Sequence, residues 1–135
     1  MSIPLNIKYR FPIWLLITSL LLLLSFSGFA KSTQFSETFN RCMDAGYVNA
    51  DMANCYNAEI QRQEKRLNGN YRKYLSNLNS EVKNNFVKAQ RSWIKYRDNN
   101  CDALASQEAG GTIAALIGKS CYLQMTKERA DDFQR

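Results

Sequence analysis

The sequence predicts an all-α fold: an antiparallel three-helix array with a short N-terminal helix, stapled by two disulfides. Apolar residues recur at steps of three and four over two long stretches, which is the period of an amphipathic helix. Four cysteines follow an apolar leader, and an even number of cysteines in a small exported domain indicates disulfides. No segment alternates apolar and polar residues as a strand does, and the sequence has no internal repeat.

The first 30 of the 135 residues are predicted to be a secretory signal. Lys8 and Arg10 form a basic start, an apolar run follows, and residues 28–30 match the small-residue cleavage pattern. The alternative is an uncleaved membrane anchor, because the apolar run approaches the ~20 residues that span a bilayer. Cleavage is favoured, since polar residues interrupt the run. The mature domain is then residues 31–135, in the periplasm or secreted, without membrane contact.

The first long helix is predicted to follow Asn49, which is suited to cap it, and to end at a short polar break over residues 77–80. The apolar stripe keeps its phase on both sides of Gly69, so the helix is expected to pass through that glycine at a cost of ~1 kcal/mol relative to alanine. The second long helix starts after the break, with Ser80 as its N-cap. A break this short makes the two helices antiparallel neighbours.

Glycines mark the remaining helix boundaries. The pair Gly110–Gly111 ends the second long helix, and Thr112 is placed to cap a third helix that runs to about Phe133. Before the long helices, the sequence predicts a short helix over residues 33–43, which Gly46 terminates. The order is therefore one short helix followed by three long ones.

These helix reversals predict which cysteines pair. Two cysteines stand nine and ten residues from the Gly110–Gly111 reversal, one on each side, and the other two flank Gly46. Folding the helices back at the glycines brings the thiols level, which predicts the pairs Cys42–Cys55 and Cys101–Cys121. The alternative is a zinc site made by all four thiolates, but the close C-x-x-C pairs typical of such sites are absent.

The composition argues against an enzyme. The chain has no histidine, which removes every triad that needs an imidazole base and the commonest metal ligand. Paired cysteines cannot act as nucleophiles, and the chain has no phosphate-binding loop. A pair of carboxylates could still hydrolyse a glycoside, but most of the acidic residues, Glu59 among them, are expected on solvated helix faces. We therefore expect no catalytic residue, no metal and no cofactor.

The charge of the mature domain is modest. After residue 30 the chain has 16 Lys and Arg against 12 Asp and Glu, a net charge of +4. The basic residues are dispersed among acidic ones, and no basic tract carries interleaved aromatics. Nucleic acid is therefore not an expected partner.

One stripe of the second long helix carries unusual side chains. Trp93, Arg97 and Cys101 are each one turn apart, so an aromatic ring, a guanidinium and a thiol share one face. Arg97 extends the apolar stripe of its helix, and Glu64 interrupts the stripe of the preceding one. We predict that the two form a buried ion pair that fixes helix register, with Trp93 as a core aromatic. A ligand-binding role is the alternative for both Arg97 and Trp93.

Several rare residues follow one another in a recognisable order. They are Trp93, Arg97, Asp98 and Cys101, then Gly110-Gly111-Thr112, Cys121, and finally Thr126, Arg129 and Ala130. This order resembles the exported LprI-like family, also called the lysozyme inhibitor LprI N-terminal domain. The resemblance extends back to Met52 and Cys55 and covers nearly all of the chain after its first 40 residues.

The resemblance implies a protein that binds and blocks a cell-wall hydrolase, with lysozyme as partner, and so protects a bacterial envelope. Such an inhibitor would place a loop in the sugar-binding cleft, which makes Gly110, Gly111, Thr112 and the nearby Lys119 the expected binding residues. The alternative for this segment is a plain turn and helix cap. The alternative function is a periplasmic adaptor that binds an envelope protein or cell-wall component without inhibiting it.

Overall fold

The computed structural model describes residues 35–108 and 111–134, and this part of the chain forms four α-helices and no strand. The helices are α1 (Glu37–Ala45), α2 (Asn49–Ser76), α3 (Ser80–Ser106) and α4 (Thr112–Asp132). The predicted all-α fold with three long helices and a short N-terminal one is confirmed. The predicted signal peptide, residues 1–30, and Gly110 lie outside the described residues. No helix within the described ranges is long and apolar enough to cross a membrane.

The three long helices begin close to the predicted positions, but their caps lie one residue earlier, at Val48, Asn79 and Gly111. The short helix α1 begins at Glu37 and not at residue 33 as predicted. Asn79 caps α3 by accepting a hydrogen bond from the Val82 N–H at 3.0 Å, so the predicted cap Ser80 is the first helical residue. Likewise, Gly111 occupies the N-cap position of α4 and Thr112 is inside the helix. Ser80 and Thr112 therefore locate the starts of α3 and α4 to within one residue. The cap itself was assigned wrongly because the residue before each, an asparagine or a glycine, is also a favoured N-cap.

The last helix, α4, lies between α2 and α3 and packs against both, whereas α2 and α3 contact each other little. The expectation that α2 and α3 are direct neighbours is therefore wrong over most of their length. They meet close to their connecting turn, where the rings of Tyr74 and Phe86 are 5.0 Å apart. The apolar periodicity predicts that each long helix has a buried face, but it does not show which helix covers that face.

Contacts along α4 give the direction of each neighbour. On α2, Asn49 and Asn70 contact Thr112 and Ala130 respectively, so residue numbers rise together and the two helices are parallel. On α3, Cys101 is bonded to Cys121, whereas Gln90, earlier in α3, accepts a hydrogen bond from Arg129, later in α4. The helices α3 and α4 are therefore antiparallel.

Apolar side chains form two clusters, one towards each end of the helices. The first holds α1 against α2 and α4, and its buried members are Phe39, Cys55 and Leu123. The second lies at the end of the helices where the α2–α3 turn is, and its buried members are Leu67, Ala130 and Phe133. The side chains packed against it are Tyr71, Tyr74, Phe86 and Trp93. Between them lies a layer of buried polar residues.

The two disulfides join the pairs predicted from the sequence. Cys42–Cys55 ties α1 to α2, and Cys101–Cys121 ties α3 to α4. All four cysteines are used, which leaves no thiolate for the zinc alternative. In the chain-entropy model, closing loops of this length stabilises the fold by about 3 kcal/mol each.

One carboxylate lies in the interior, contrary to the expectation of solvated acidic residues. Glu59 is fully buried and accepts hydrogen bonds from the hydroxyl and the backbone N–H of Ser36, from Gln63 and from Arg62. Burial raises its pKa, but these four hydrogen bonds outweigh that effect, and the pKa falls below the ordinary 4.5. The sequence predicted Glu59 on a solvated face, and this prediction is wrong. The buried stripe of α2 is the line of every fourth residue from Cys55 to Leu67, and Glu59 lies on that line.

Candidate functional site

The predicted stripe on α3 is built around a stacked arginine. Arg97 is buried, and its guanidinium carbon lies 3.7 Å from the centroid of the Tyr122 ring and 5.1 Å from that of Trp93. The same group donates hydrogen bonds to Asp98 at 2.9 Å and to the Thr126 hydroxyl at 3.2 Å. Every face of the guanidinium is therefore occupied by protein groups.

The carboxylate paired with Arg97 is Asp98, not the predicted Glu64. Glu64 instead accepts a hydrogen bond from the Tyr122 hydroxyl at 2.7 Å, while the ring of Tyr122 faces Arg97. The insertion of α4 between α2 and α3 causes this, because it places Tyr122 between the two charges. Burial, together with the hydrogen bond to Glu64, raises the pKa of Tyr122 to about 12, so its hydroxyl remains a donor at neutral pH.

Trp93 is contacted by two guanidinium groups. The Arg97 guanidinium, one helical turn along α3, lies 5.1 Å from the centroid of the Trp93 ring. The Arg129 guanidinium of α4 lies 5.5 Å from the same centroid and 4.5 Å from the centroid of the Phe133 ring. Arg129 also donates a hydrogen bond to Gln90 at 2.9 Å. Cations and aromatic rings thus alternate from Tyr122 to Phe133 and bind α3 to α4. These side chains pack α3 against α4, and Arg97 is buried among them.

An exposed surface lies at the opposite end, where the α1–α2 turn meets the start of α4. We call it the end surface and define it as Tyr47, Val48, Gly111, Thr112 and Ile113. The two segments are joined by a hydrogen bond from the Asn49 side-chain amide to the Thr112 hydroxyl at 2.7 Å. Tyr47 is 92% exposed, Val48 57% and Ile113 47%. A cluster of exposed apolar side chains including a tyrosine is typical of a protein-binding surface.

Both halves of the end surface are anchored covalently. The disulfide Cys42–Cys55 spans the α1–α2 turn, and Cys101–Cys121 spans the α3–α4 turn. A turn whose two flanking helices are cross-linked has fewer conformations to lose when it binds a partner. The end surface therefore has the composition and the restraint expected of a contact site.

An open groove of about 720 Å³ begins next to the end surface. Its floor is α4, and its walls are α2 and α3. The lining residues are Asn57, Ile60, Asp98, Cys101, Asp102, Ala105, Ala114, Ala115, Gly118, Lys119 and Tyr122.

The structure separates the binding residues expected from the sequence. Gly111 and Thr112 lie on the end surface and are exposed. Lys119 lies two turns further along α4, on the groove, where its ammonium donates a hydrogen bond to Asn57 at 2.5 Å. Gly110 lies outside the described residues, so its part in the site remains a prediction.

Sequence reasoning missed Tyr47 and Val48. A usable signal was present, because two large apolar residues stand between the helix-ending Gly46 and the helix-starting Asn49. Turns of this kind normally carry small or polar residues. Both side chains are exposed in this turn, which makes them candidates for intermolecular contact.

Comparison with known proteins gave two matches. The sequence model of the family described as "Lysozyme inhibitor LprI" matches residues 42–133. An uncharacterised protein of Rhizobium meliloti (strain 1021) is 27% identical over 100 residues, which cover 70% of this chain and 68% of the relative. No solved structure matches the chain.

Proposed function

The chain belongs to the family of the lysozyme inhibitor LprI, and from this membership we propose that it is an exported protein that binds a lysozyme-type cell-wall hydrolase and blocks it. The family is one of inhibitors, not of enzymes. The two disulfides are typical of proteins that work outside the cytoplasm. On this proposal the mature domain acts in the periplasm or after secretion and protects the bacterial envelope.

The single observation that supports a site for this activity is the exposed Tyr47 beside the start of α4. An inhibitor has to occupy the substrate cleft of the hydrolase, and a protruding tyrosine offers a flat apolar surface with a hydroxyl at its tip. The tyrosine would enter the cleft, with Val48 and Ile113 covering its rim.

The start of α4 adds groups suited to the catalytic carboxylates of such an enzyme. No side chain caps this helix, because its N-cap residue is Gly111. Its first backbone N–H groups therefore point outward and carry the positive end of the helix dipole. A carboxylate placed there would accept their hydrogen bonds, and the Thr112 hydroxyl lies at the same point. Two carboxylates are what a glycoside hydrolase of the lysozyme type presents in its cleft.

The direct test is a lysis assay with the disulfide-bonded mature protein, residues 31–135. Added at concentrations equal to that of the enzyme, it should slow clearing of a cell-wall suspension by at least one class of lysozyme. The same protein after reduction and alkylation is the control and should inhibit less. If no lysozyme class is slowed by the oxidised protein, the inhibitor proposal fails.

A second function is favoured by the groove, which lies beside the end surface and is not needed for the inhibition just described. A periplasmic adaptor that binds an envelope protein or a cell-wall component would use such a groove. Co-purification of the mature protein from an envelope extract, in the absence of any lysis inhibition, would support this function over the first.

A further inference from the structure

We propose that the groove between α2, α3 and α4 binds a short free peptide that carries both an ammonium and a carboxylate group. The proposal does not rest on inhibition of a hydrolase, because none of the groove residues belongs to the end surface. It rests on the shape of the groove and on the charges that line it.

The groove has the size and the floor that a short peptide requires. Its volume of about 720 Å³ falls within the range of roughly 300–1,000 Å³ typical of small-ligand sites. Ala114, Ala115 and Gly118 form the floor, so a backbone can approach α4 closely. At Gly118 the helices α3 and α4 are themselves close, since an added Cβ would lie 3.4 Å from that of Ala105. Ala114 and Ala115 therefore leave the floor open to a ligand backbone, while Gly118 lets α3 pack close to α4.

The α3 wall of the groove is acidic. Asp98 and Asp102 are one turn apart, and both line the groove. The Asp98 side chain remains 48% exposed, and only its Oδ1 atom binds Arg97, so its second oxygen is available. The Asp102 carboxylate has no hydrogen bond or ion pair with any residue in the described part of the chain. This wall can accept hydrogen bonds from an ammonium group.

On the α4 side the groove carries the opposite charge. The Lys119 ammonium binds the neutral amide of Asn57, so no carboxylate within the described ranges neutralises it. A ligand of one charge would be attracted to one side of the groove and repelled by the other. A ligand that carries both an ammonium and a carboxylate matches both sides, and the free termini of a short peptide provide these two groups.

The probe for the test is trialanine with free termini, added to isotope-labelled mature protein and followed by NMR. Saturable shifts are expected at Asp102, Ala115 and Lys119. The matched probe is trialanine acetylated at its N-terminus and amidated at its C-terminus, which keeps the side chains and removes both charges. It should bind at least ten times more weakly. Equal binding of the two probes would refute the assignment of the charges, and absence of saturable shifts would refute the site.

Two pairs of variants place the binding in the groove. Ala115→Phe fills the floor from an exposed position and should abolish binding, whereas Ala103→Phe, exposed on α3 outside the groove, should not change it. Asp102→Asn should weaken binding about tenfold, and Asp44→Asn, the same change on α1, should leave it intact. If Ala115→Phe does not fold, the comparison of Asp102→Asn with Asp44→Asn still tests the proposal. Unchanged binding in a folded Ala115→Phe variant, or equal effects of the two Asn variants, would overturn the groove as the site. Inhibition of lysis measured on the same variants shows separately whether the proposed function holds.

Discussion

Three side chains show how this domain stabilises polar groups in its interior. Arg97, Glu59 and Thr126 are buried, and each is bound by other protein groups. Burial of a charge is tolerated only where hydrogen bonds replace its water, and Glu59 has four of them while Arg97 has two acceptors and two aromatic faces. These residues hold helices together, so substitutions there are expected to affect stability before they affect binding.

Replacing Arg97 with alanine should lower the free energy of unfolding by about 2 kcal/mol, the value of desolvated cation–π contacts. The loss is smaller than the ~3–5 kcal/mol expected for a buried partner left unpaired, because Asp98 is half exposed and water can solvate it. Arg97→Lys should recover little, since an ammonium cannot stack as a guanidinium does. Urea denaturation measures both variants, with Arg91→Ala as the exposed control. A loss no larger than that of the control would show that the stacking does not stabilise the fold.

Glu59 should make the domain sensitive to acid. Its folded-state pKa lies below 4.5, so its ionised form stabilises the fold at neutral pH, and this contribution is lost as the pH falls below about 4.5 through the folded-state pKa. Glu59→Gln should therefore be less stable than the wild type by about 2 kcal/mol at pH 7, and the difference should shrink at pH 3. Glu108→Gln, at an exposed position in the turn after α3, is the control. A deficit of Glu59→Gln that is the same at both pH values would contradict this account.

The sequence did not reveal that α4 lies between α2 and α3. Helix existence, the continuous passage through Gly69, and both disulfides followed from apolar period, turn residues and cysteine spacing. Which helix covers which stripe depends on crossing angles and side-chain fit over the whole core, and neither is visible in a periodic pattern. The predicted pair of Glu64 and Arg97 failed for this reason, since Tyr122 of α4 lies between them.

The disulfide of the short helix should control the order of the end surface. Replacing Cys42 and Cys55 with alanine should cost about 3 kcal/mol and release α1, so that the backbone around the already exposed Tyr47 can unfold locally and enter a protease active site. Limited digestion with chymotrypsin should then cut after Tyr47 much faster than in the wild type. The matched variant lacks Cys101 and Cys121, and it should lose similar stability without faster cleavage at Tyr47. Equal cleavage rates in the two variants would show that α1 is held by its apolar contacts alone.

The charge of the whole molecule bears on how it meets a partner. If residues 1–30 are removed as proposed, the remaining chain has a net charge of +4, and a basic lysozyme would repel it at long range. Salt screens such repulsion within about 8 Å at physiological ionic strength. If the partner is a basic lysozyme, association should become faster as salt rises from about 50 to 300 mM, as measured by stopped-flow fluorescence. Slower association with added salt would indicate an acidic partner or a locally complementary surface.

The central claim, that the end surface blocks the hydrolase, is tested most directly by comparing two tyrosines in the lysis assay. Tyr47 is 92% exposed on the end surface, and Tyr96 is 60% exposed on α3, so neither substitution by alanine disturbs the core. Tyr47→Ala should weaken inhibition at least tenfold, which corresponds to ~1.4 kcal/mol of binding energy. Tyr96→Ala should inhibit as the wild type does. Full inhibition by Tyr47→Ala, or loss of inhibition in Tyr96→Ala instead, would contradict the account.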